Sequence, residues 1–403
     1  MRILGMISGT SHDGIDIAVV DFTEDGEKLT GSVEYTDSIP YDADLRSSLL
    51  QALPPSRVGF ETVCELDTRI GQAFAAAAHN ALEAHAALPW SGPVDAICSH
   101  GQTVFHWVDD GHALGTLQLG QAAWIAEMTA LPVISDVRAA DIAVGGQGAP
   151  LVPILDQLIL SPARAAGQRA GALNLGGIAN VTVCAPGHAP VAWDIGPANA
   201  LIDAVVTASP VTDDTFDRDG ALAGAGVVDQ RLLQTLLEEP YYALPAPKSS
   251  GKELFHHDHV TAAIARAGVD PRLPDIVATL TELTAVTVAD AIRAARLDLL
   301  VVSGGGLHNP VLMERINALL PEVQVIASDV LGVPADDKEA IAFALIGWAT
   351  LHGLPGNVPS CTGATAPRVL GRLTPAPTGG FPPLIRSPQW PTGLTVVPVA
   401  DAG

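Results

Sequence analysis

Apolar and polar positions along this chain follow two rhythms. Short runs rich in β-branched residues, at 3–7, 15–22, 94–99, 132–135, 172–175, 191–194, 299–303 and 323–327, read as strands. Long alanine-rich stretches separate them. Between residues 62 and 85, Val63, Leu66, Ile70, Phe74, Ala77 and Ala81 recur at helical spacing and predict a helix with one buried stripe. Between 276 and 297 the apolar residues again keep mainly helical spacing, but Val288 and Ile292 lie off that face. That pattern predicts a helix buried on more than one side. Strands alternating with helices place the chain in the α/β class.

Two segments share a design. Residues 3–22 read as strand, turn, strand, with Ser8-Gly9-Thr10-Ser11-His12-Asp13-Gly14 at the bend. Residues 172–184 repeat it more briefly around Asn174-Leu175-Gly176-Gly177-Ile178-Ala179-Asn180. Small turn residues between two strands make a hairpin, not a crossover to a helix. One hairpin near the start of each half predicts two similar α/β halves facing each other across a cleft. The competing reading is a chance pair of hairpins. After Gly353 the composition changes, and residues 374–393 carry six prolines and three glycines, which predicts an irregular tail lying over the surface.

Composition narrows the function. With 403 residues the chain has room for two or three domains, and 48% hydrophobic against 16% charged residues excludes disorder. The net charge of −23 is spread along the chain without a basic stripe, which excludes a nucleic-acid partner. Four cysteines, far apart, form neither a disulfide nor a zinc framework. Gly, Asn and Pro interrupt the uncharged stretches before they could span a bilayer, and the first apolar run is too short for a signal peptide. The expectation is a soluble, cytoplasmic protein with no membrane partner.

Several chemistries are missing. No Walker-type loop, no strand-linked Gly-x-Gly-x-x-Gly and no hydrolase nucleophile elbow occurs. His256-His257-Asp258-His259 reads better as a polar helix start than as a metal site. What remains is more telling. The turn from Gly9 to Asp16 gathers backbone N–H and hydroxyl donors suited to phosphate oxygens, with Asp13 and Asp16 able to hold a hydrated Mg²⁺, or else it is an ordinary polar turn. Ser303-Gly304-Gly305-Gly306 follows an apolar strand and precedes a helix, and three glycines exceed what a turn needs. In Trp193-Asp194-Ile195-Gly196-Pro197-Ala198-Asn199 the strand-end Asp194 is either a general base or the N-cap of a helix at 199–206, and alone the segment favours the cap. Ser99-His100-Gly101-Gln102-Thr103 offers neutral hydrogen-bonding groups for a sugar or for the core. In Asp136-x-Arg138 the arginine suits a carboxylate clamp or a structural ion pair, and Asp337-Lys338-Glu339-Ala340 opens an apolar helix. Together these are the parts of an ATP-dependent phosphotransferase.

These blocks, with Ser135–Ala143, Gly145–Pro153 and Lys248–Glu253, stand in one order from the first strand to about Leu370. In that order the chain resembles the anhydro-N-acetylmuramic acid kinases of the actin/hexokinase/acetate-kinase ATPase superfamily. The resemblance implies two actin-like (ribonuclease H-like) domains, at 1–135 plus 355–403 and at 136–354, with a central ATP/sugar cleft. It implies that Gly9, Thr10, Ser11, His12, Asp13, Gly14, Ile15 and Asp16 bind ATP phosphates, with Asp13 on Mg²⁺ through water. Gly176 and Gly177 match the second phosphate hairpin, and Gly304, Gly305 and Gly306 the adenosine turn. Asp194 matches the catalytic base, and Gln102, Thr103, Arg138 and Glu339 lie at positions expected near the amino sugar. The implied reaction opens 1,6-anhydro-N-acetylmuramic acid with water and phosphorylates O6 from ATP, in peptidoglycan recycling, by a homodimer.

Ile195 and Ala198 depart from the family's usual Asp-Thr-Gly-Pro-Gly-Asn. That departure keeps open a kinase of another sugar. A non-catalytic nucleotide sensor or assembly protein is the third reading, though it would need neither Asp194 nor the sugar-side motifs.

Overall fold

In a computed structural model, which describes residues 1–9, 11–250, 254–378, 385 and 389–398, the chain divides into two compact units. The first comprises Met1–Ser161 and Leu331–Gly403, the second Pro162–Val330. Its strands run, in chain order, β1 (Arg2–Ser8), β2 (Gly14–Asp25), β3 (Lys28–Pro40), β4 (Ala96–Asp109), β5 (His112–Leu119) and β6 (Val133–Ser135) in the first unit. The second unit holds β7 (Ala170–Leu175), β8 (Ile178–Cys184), β9 (Val191–Pro197), β10 (Leu299–Ser303) and β11 (Gln324–Ala327). The chain then returns to the first unit for β12 (Arg372–Thr374) and β13 (Gly393–Val397).

Both units are built on one plan. In the first, β3, β2 and β1 form an antiparallel meander, and β4 then β6 add in parallel beside β1. In the second, β9, β8 and β7 form the meander, and β10 then β11 add in parallel beside β7. This is the doubled actin-like α/β fold, so the two hairpins occupy equivalent places and are not a chance pair.

Each sheet is covered by the helices that the periodicity predicts. Helix Phe60–Ala86 lays Ile70, Phe74, Ala77 and Ala81 on the face of the first sheet that carries Leu4, Met6, Ile17 and Val19. The opposite face takes helix Lys338–Leu351, apolar on nearly every side. Its approach is close. A Cβ on Gly5 would stand 2.1 Å from Ala340 O, and one on Gly347 would stand 2.7 Å from Cys98 Cβ. In the second unit, helix Leu273–Ala295 buries Val288 and Ile292 against the sheet and turns Val277, Leu280 and Leu283 to a second cluster. It is buried on two sides, as its pattern predicts.

Two boundaries and one tail differ from expectation. The units divide at 161/162 and 330/331, not at 135/136 and 354/355. The reason is contact. Buried Asp141 accepts from Asn357 Nδ2 (2.6 Å) and Thr362 Oγ1 (2.7 Å), and the Lys338 ammonium meets Asp156 at 2.7 Å. The segments around 141, 156 and 338 are thus bound into the first unit. The proline-rich stretch lies partly outside the described residues, but it does not end as a loose tail. Trp390 Nε1 donates to Pro355 O (2.9 Å), and β13 then pairs with β3 in parallel, 365 residues away in sequence at Lys28–Gly393.

Candidate active-site residues

The expected site residues fall into two sets, one on each unit. In the first, the β1–β2 hairpin is shaped by contacts at its base. Buried Ser8 Oγ lies 2.6 Å from Gly14 O and 2.7 Å from Gln102 Oε1, and Gln102 Nε2 donates to Gly9 O (3.2 Å). Gln102 is therefore a buried brace for the β1–β2 hairpin. Thr103 accepts from Gln118 Nε2 at 3.1 Å. At the tip, His12 sits at φ 54°, Ser11 Oγ donates to Asp13 Oδ1 (2.5 Å), and Arg46 Nε holds His12 O (3.0 Å). Ile15 turns into the apolar core and packs there instead of facing a ligand. Gly14 lies where a Cβ would come within 2.6 Å of Ile39 O, so it serves close strand pairing. Thr10 lies outside the described residues.

Acidic groups crowd this hairpin. Asp16 Oδ1 accepts from Ser38 Oγ (2.7 Å), which favours its charge. Burial nevertheless pushes its pKa above the usual carboxylate value, and the charges of Asp13 and Asp336 push the same way. Glu339, in the first turn of the helix that Gly5 admits so closely, is likewise raised, by burial first and then by Asp16, against the pull of Arg138 and Lys338. Among the described residues no three His, Cys, Asp or Glu side chains form a ready metal cage. The donor set suits a hydrated Mg²⁺, which keeps most of its waters and takes one or two carboxylates with substrate phosphates.

Arg138 is anchored within its own unit by two neutral acceptors. Its Nε donates to His100 Nε2 (2.7 Å) and its Nη1 to Gly148 O (2.7 Å), while Asp136 pairs with Arg372 (2.7 Å). Burial lowers the Arg138 pKa to about 10 against the favourable charges of Glu339 and Asp141. Its neighbour His100 is pushed down to about 3, mostly by burial and then by the Arg138 charge. It is a neutral ring whose Nδ1–H donates to Gly101 O (2.9 Å).

In the second unit the β7–β8 turn, Gly176-Gly177, serves as a platform. Ala198 N and Ala200 N donate to Gly177 O and Asn199 N to Gly176 O, all at 3.0 Å. These are the first amides of helix Asn199–Thr207, whose N-cap is Ala198 with no side-chain bond. Asp194 is therefore not the helix cap. It belongs to β9, where its Oδ2 accepts from Ser250 N (2.9 Å). Ile195 and Ala198 are buried with Leu173, Val181 and Val288, so both departures from the family pattern belong to the core of this sheet. Of the three glycines after β10, a Cβ on Gly304 would meet Asn174 Oδ1 at 2.4 Å and one on Gly306 would meet Leu175 Cβ at 2.7 Å. Gly305 alone has room, its nearest neighbour being Asn199 Nδ2 at 3.9 Å. Two glycines permit packing, and the third has open space beside it. His256 stands at the start of helix His257–Ala267, as a polar helix start requires. The quoted block at Gly251–Glu253 lies outside the described residues.

Sequence reasoning gave no role to Ser8, His100, Tyr241, Lys248 or Ser250, although blocks containing four of them were legible as motifs. The family model described as anhydro-N-acetylmuramic acid kinase matches residues 1–376. A protein of Streptomyces coelicolor named anhydro-N-acetylmuramic acid kinase is 53% identical over 376 residues, spanning 93% of this chain and 94% of its own. One of the same name from Rhodococcus erythropolis is 49% identical over 407 residues, spanning 98% and 99%. The chain belongs to the anhydro-N-acetylmuramic acid kinase family.

Proposed function

We propose that this chain is an ATP-dependent kinase that opens 1,6-anhydro-N-acetylmuramic acid with water and phosphorylates O6, giving N-acetylmuramate 6-phosphate and ADP for cell-wall recycling in the cytoplasm. The observation that carries this reading is Asp194, a strand-end carboxylate oriented by a backbone N–H and released from any capping duty. It serves as the general base, taking a proton from the water that attacks C1. The bond from C1 to O6 breaks, and O6 attacks the γ-phosphorus. Ser11 and the backbone of the hairpin receive the phosphates, and Asp13 would meet them only by holding Mg²⁺ through water. When bound, the ion neutralises charge on the transferring phosphoryl group. Arg138, with Nε and Nη1 already committed, presents the rest of its fork beside Glu339 to the sugar. The raised pKa of Glu339 suits hydrogen bonding to a sugar hydroxyl.

The buried positions of Ile195 and Ala198 remove the motive for a different sugar. A homodimer would be served by the outer part of β4 and β5, where Phe105, Trp107, Val108, Leu114 and Leu117 are exposed. The deciding experiment is ADP release from Mg-ATP with and without the anhydro sugar, for the native chain and Asp194→Asn. Sugar-dependent turnover that collapses in the variant, with a muramate 6-phosphate by mass, is expected. Tight ATP binding without that turnover would sink the reading.

A further inference from the structure

Asp194 is held by more than Ser250. Its own N–H donates to Lys248 O (2.9 Å), and its O accepts from the hydroxyl of buried Tyr241 (2.8 Å). Lys248 in turn sends its ammonium back to Tyr241 O (2.9 Å) and Tyr242 O (3.1 Å), and the same ammonium lies 4.4 Å from the centre of the Tyr241 ring. The bonds close a ring of three residues: Asp194 to Lys248, Lys248 to Tyr241, Tyr241 to Asp194. The turn that carries the two tyrosines is itself wedged. Tyr242 stacks on Phe255 at 6.2 Å and 11°, Tyr241 meets Phe255 edge-on, and a Cβ on Gly196 would strike Tyr242 Cε1 at 2.8 Å.

From this closed ring we infer that Lys248 and Tyr241 are positioning residues for the base: the Lys248 ammonium pins residues 248–250 to the tyrosine turn, and that strap aims the Asp194 carboxylate. Aim matters here. Misplacing a base by about 1 Å can cost on the order of 10²-fold in rate. The ammonium's hydrogen bonds and ring contact are to neutral groups, and burial lowers its pKa accordingly. A lysine kept for solubility would reach for water or a carboxylate. This one is spent on two carbonyls and a ring face, which is what fastening one backbone segment to another requires.

The inference rests on Asp194 being the base, and the test separates the two. Steady-state kcat and the KM values for ATP and for the anhydro sugar are measured for Lys248→Met, Lys248→Arg, Tyr241→Phe and Asp194→Asn, with melting curves for each. Methionine keeps the stem and removes the cation, whereas arginine can still donate to both carbonyls and cover the ring. Lys248→Met is expected to lower kcat by roughly 10–100-fold with both KM values within about twofold, and Lys248→Arg to recover most of the loss. Tyr241→Phe, which removes one hydroxyl, should lower kcat by roughly 3–10-fold and covers the case in which Lys248→Met does not fold. Native kcat in folded Lys248→Met, a rise in the ATP KM at native kcat, or an arginine variant no better than methionine would overturn the inference. Should Asp194→Asn remain active, the base assignment itself fails, whatever the lysine variants do.

Discussion

Replacing His100 by glutamine tests the polar arrangement of the first unit through its pH dependence. The His100 ring is buried, donates from Nδ1 to Gly101 O, accepts from Arg138 Nε and packs 4.8 Å from Phe343. Its pKa falls from 6.5 to about 3, mainly by burial and then by the Arg138 charge. Between those values the unfolded chain binds a proton that the folded chain refuses. The stability tied to His100 is therefore whole above pH 6.5 and drains as pH falls toward 3, at about 1.4 kcal/mol per pH unit. Glutamine can offer Oε1 to Arg138 but loses the bond to Gly101 O, about 1 kcal/mol, and the ring contact, about 1 kcal/mol more. At pH 7 the variant should be less stable by about 2 kcal/mol. At pH 4 the native chain has lost about 3 kcal/mol that the variant keeps. The two urea midpoints should cross near pH 5. Tryptophan fluorescence reports the right unit, since five of the six tryptophans lie outside 162–330. All other titrating groups are common to both proteins and cancel. A stability difference that stays constant from pH 7 to pH 4 would refute the neutral, arginine-bound imidazole.

Three further expectations follow from geometry. Gly304→Ala, at φ 84° with its Cβ 2.4 Å from Asn174 Oδ1, should cost about 1–3 kcal/mol of stability, whereas Gly305→Ala should melt like the native chain and weaken ATP binding, read by calorimetry. Asp16→Asn should raise the urea midpoint at pH 7 while lowering turnover. Burial first, then Asp13 and Asp336, raise the Asp16 pKa above 3.8, so its ionisation costs stability as pH rises through that raised value, and the gain should vanish below about pH 4. Glu34→Ala should destabilise by about 1–3 kcal/mol in urea unfolding, because buried Glu34 joins Arg2 Nε (3.0 Å) to His85 Nε2 (2.7 Å) and its loss leaves the buried His85 ring without that partner, while Arg2 keeps Asp21 (3.1 Å).

What was legible in the sequence was whatever a short window could hold. β-Branched runs marked β1, β2, β4, β7 and β10, and the helical stripe of Ile70, Phe74 and Ala77 was read with its burial correct. Strands β3, β5, β12 and β13 escaped, because their place depends on partners: β13 is a strand only by virtue of β3, and β5 buries only Ala113 and Leu119. The same limit applied at the site. Asp194 read locally as a helix cap. Its true partners, Tyr241, Lys248 and Ser250, lie 47 to 56 residues on, beyond any spacing rule. For Arg138 the sequence leaves a carboxylate clamp and a structural ion pair equally open, because its acceptor His100 lies 38 residues before it.

The repeated sheet order shows how one plan has been given two chemistries. β1 and β7 open equivalent hairpins, and β4 and β10 are equivalent parallel neighbours. In each neighbour a buried serine precedes a glycine in the left-handed region within two residues: Ser99 before Gly101 at φ 71° inside β4, Ser303 before Gly304 at φ 84° at the end of β10. The backbone requirement is the same, and only the side chains between and after it differ. In the first unit that position carries His100, which takes up an arginine, and Gln102, which braces a hairpin furnished with Ser11 and Asp13. In the second it carries bare glycines, two of them packed against the β7–β8 turn. A side chain at Gly305 would fill the open space beside Asn199, whereas a glycine in place of His100 would leave Arg138 Nε without its acceptor. The motif blocks therefore mark positions where a shared backbone was constrained twice, once by packing that both units need and once by chemistry that each performs alone.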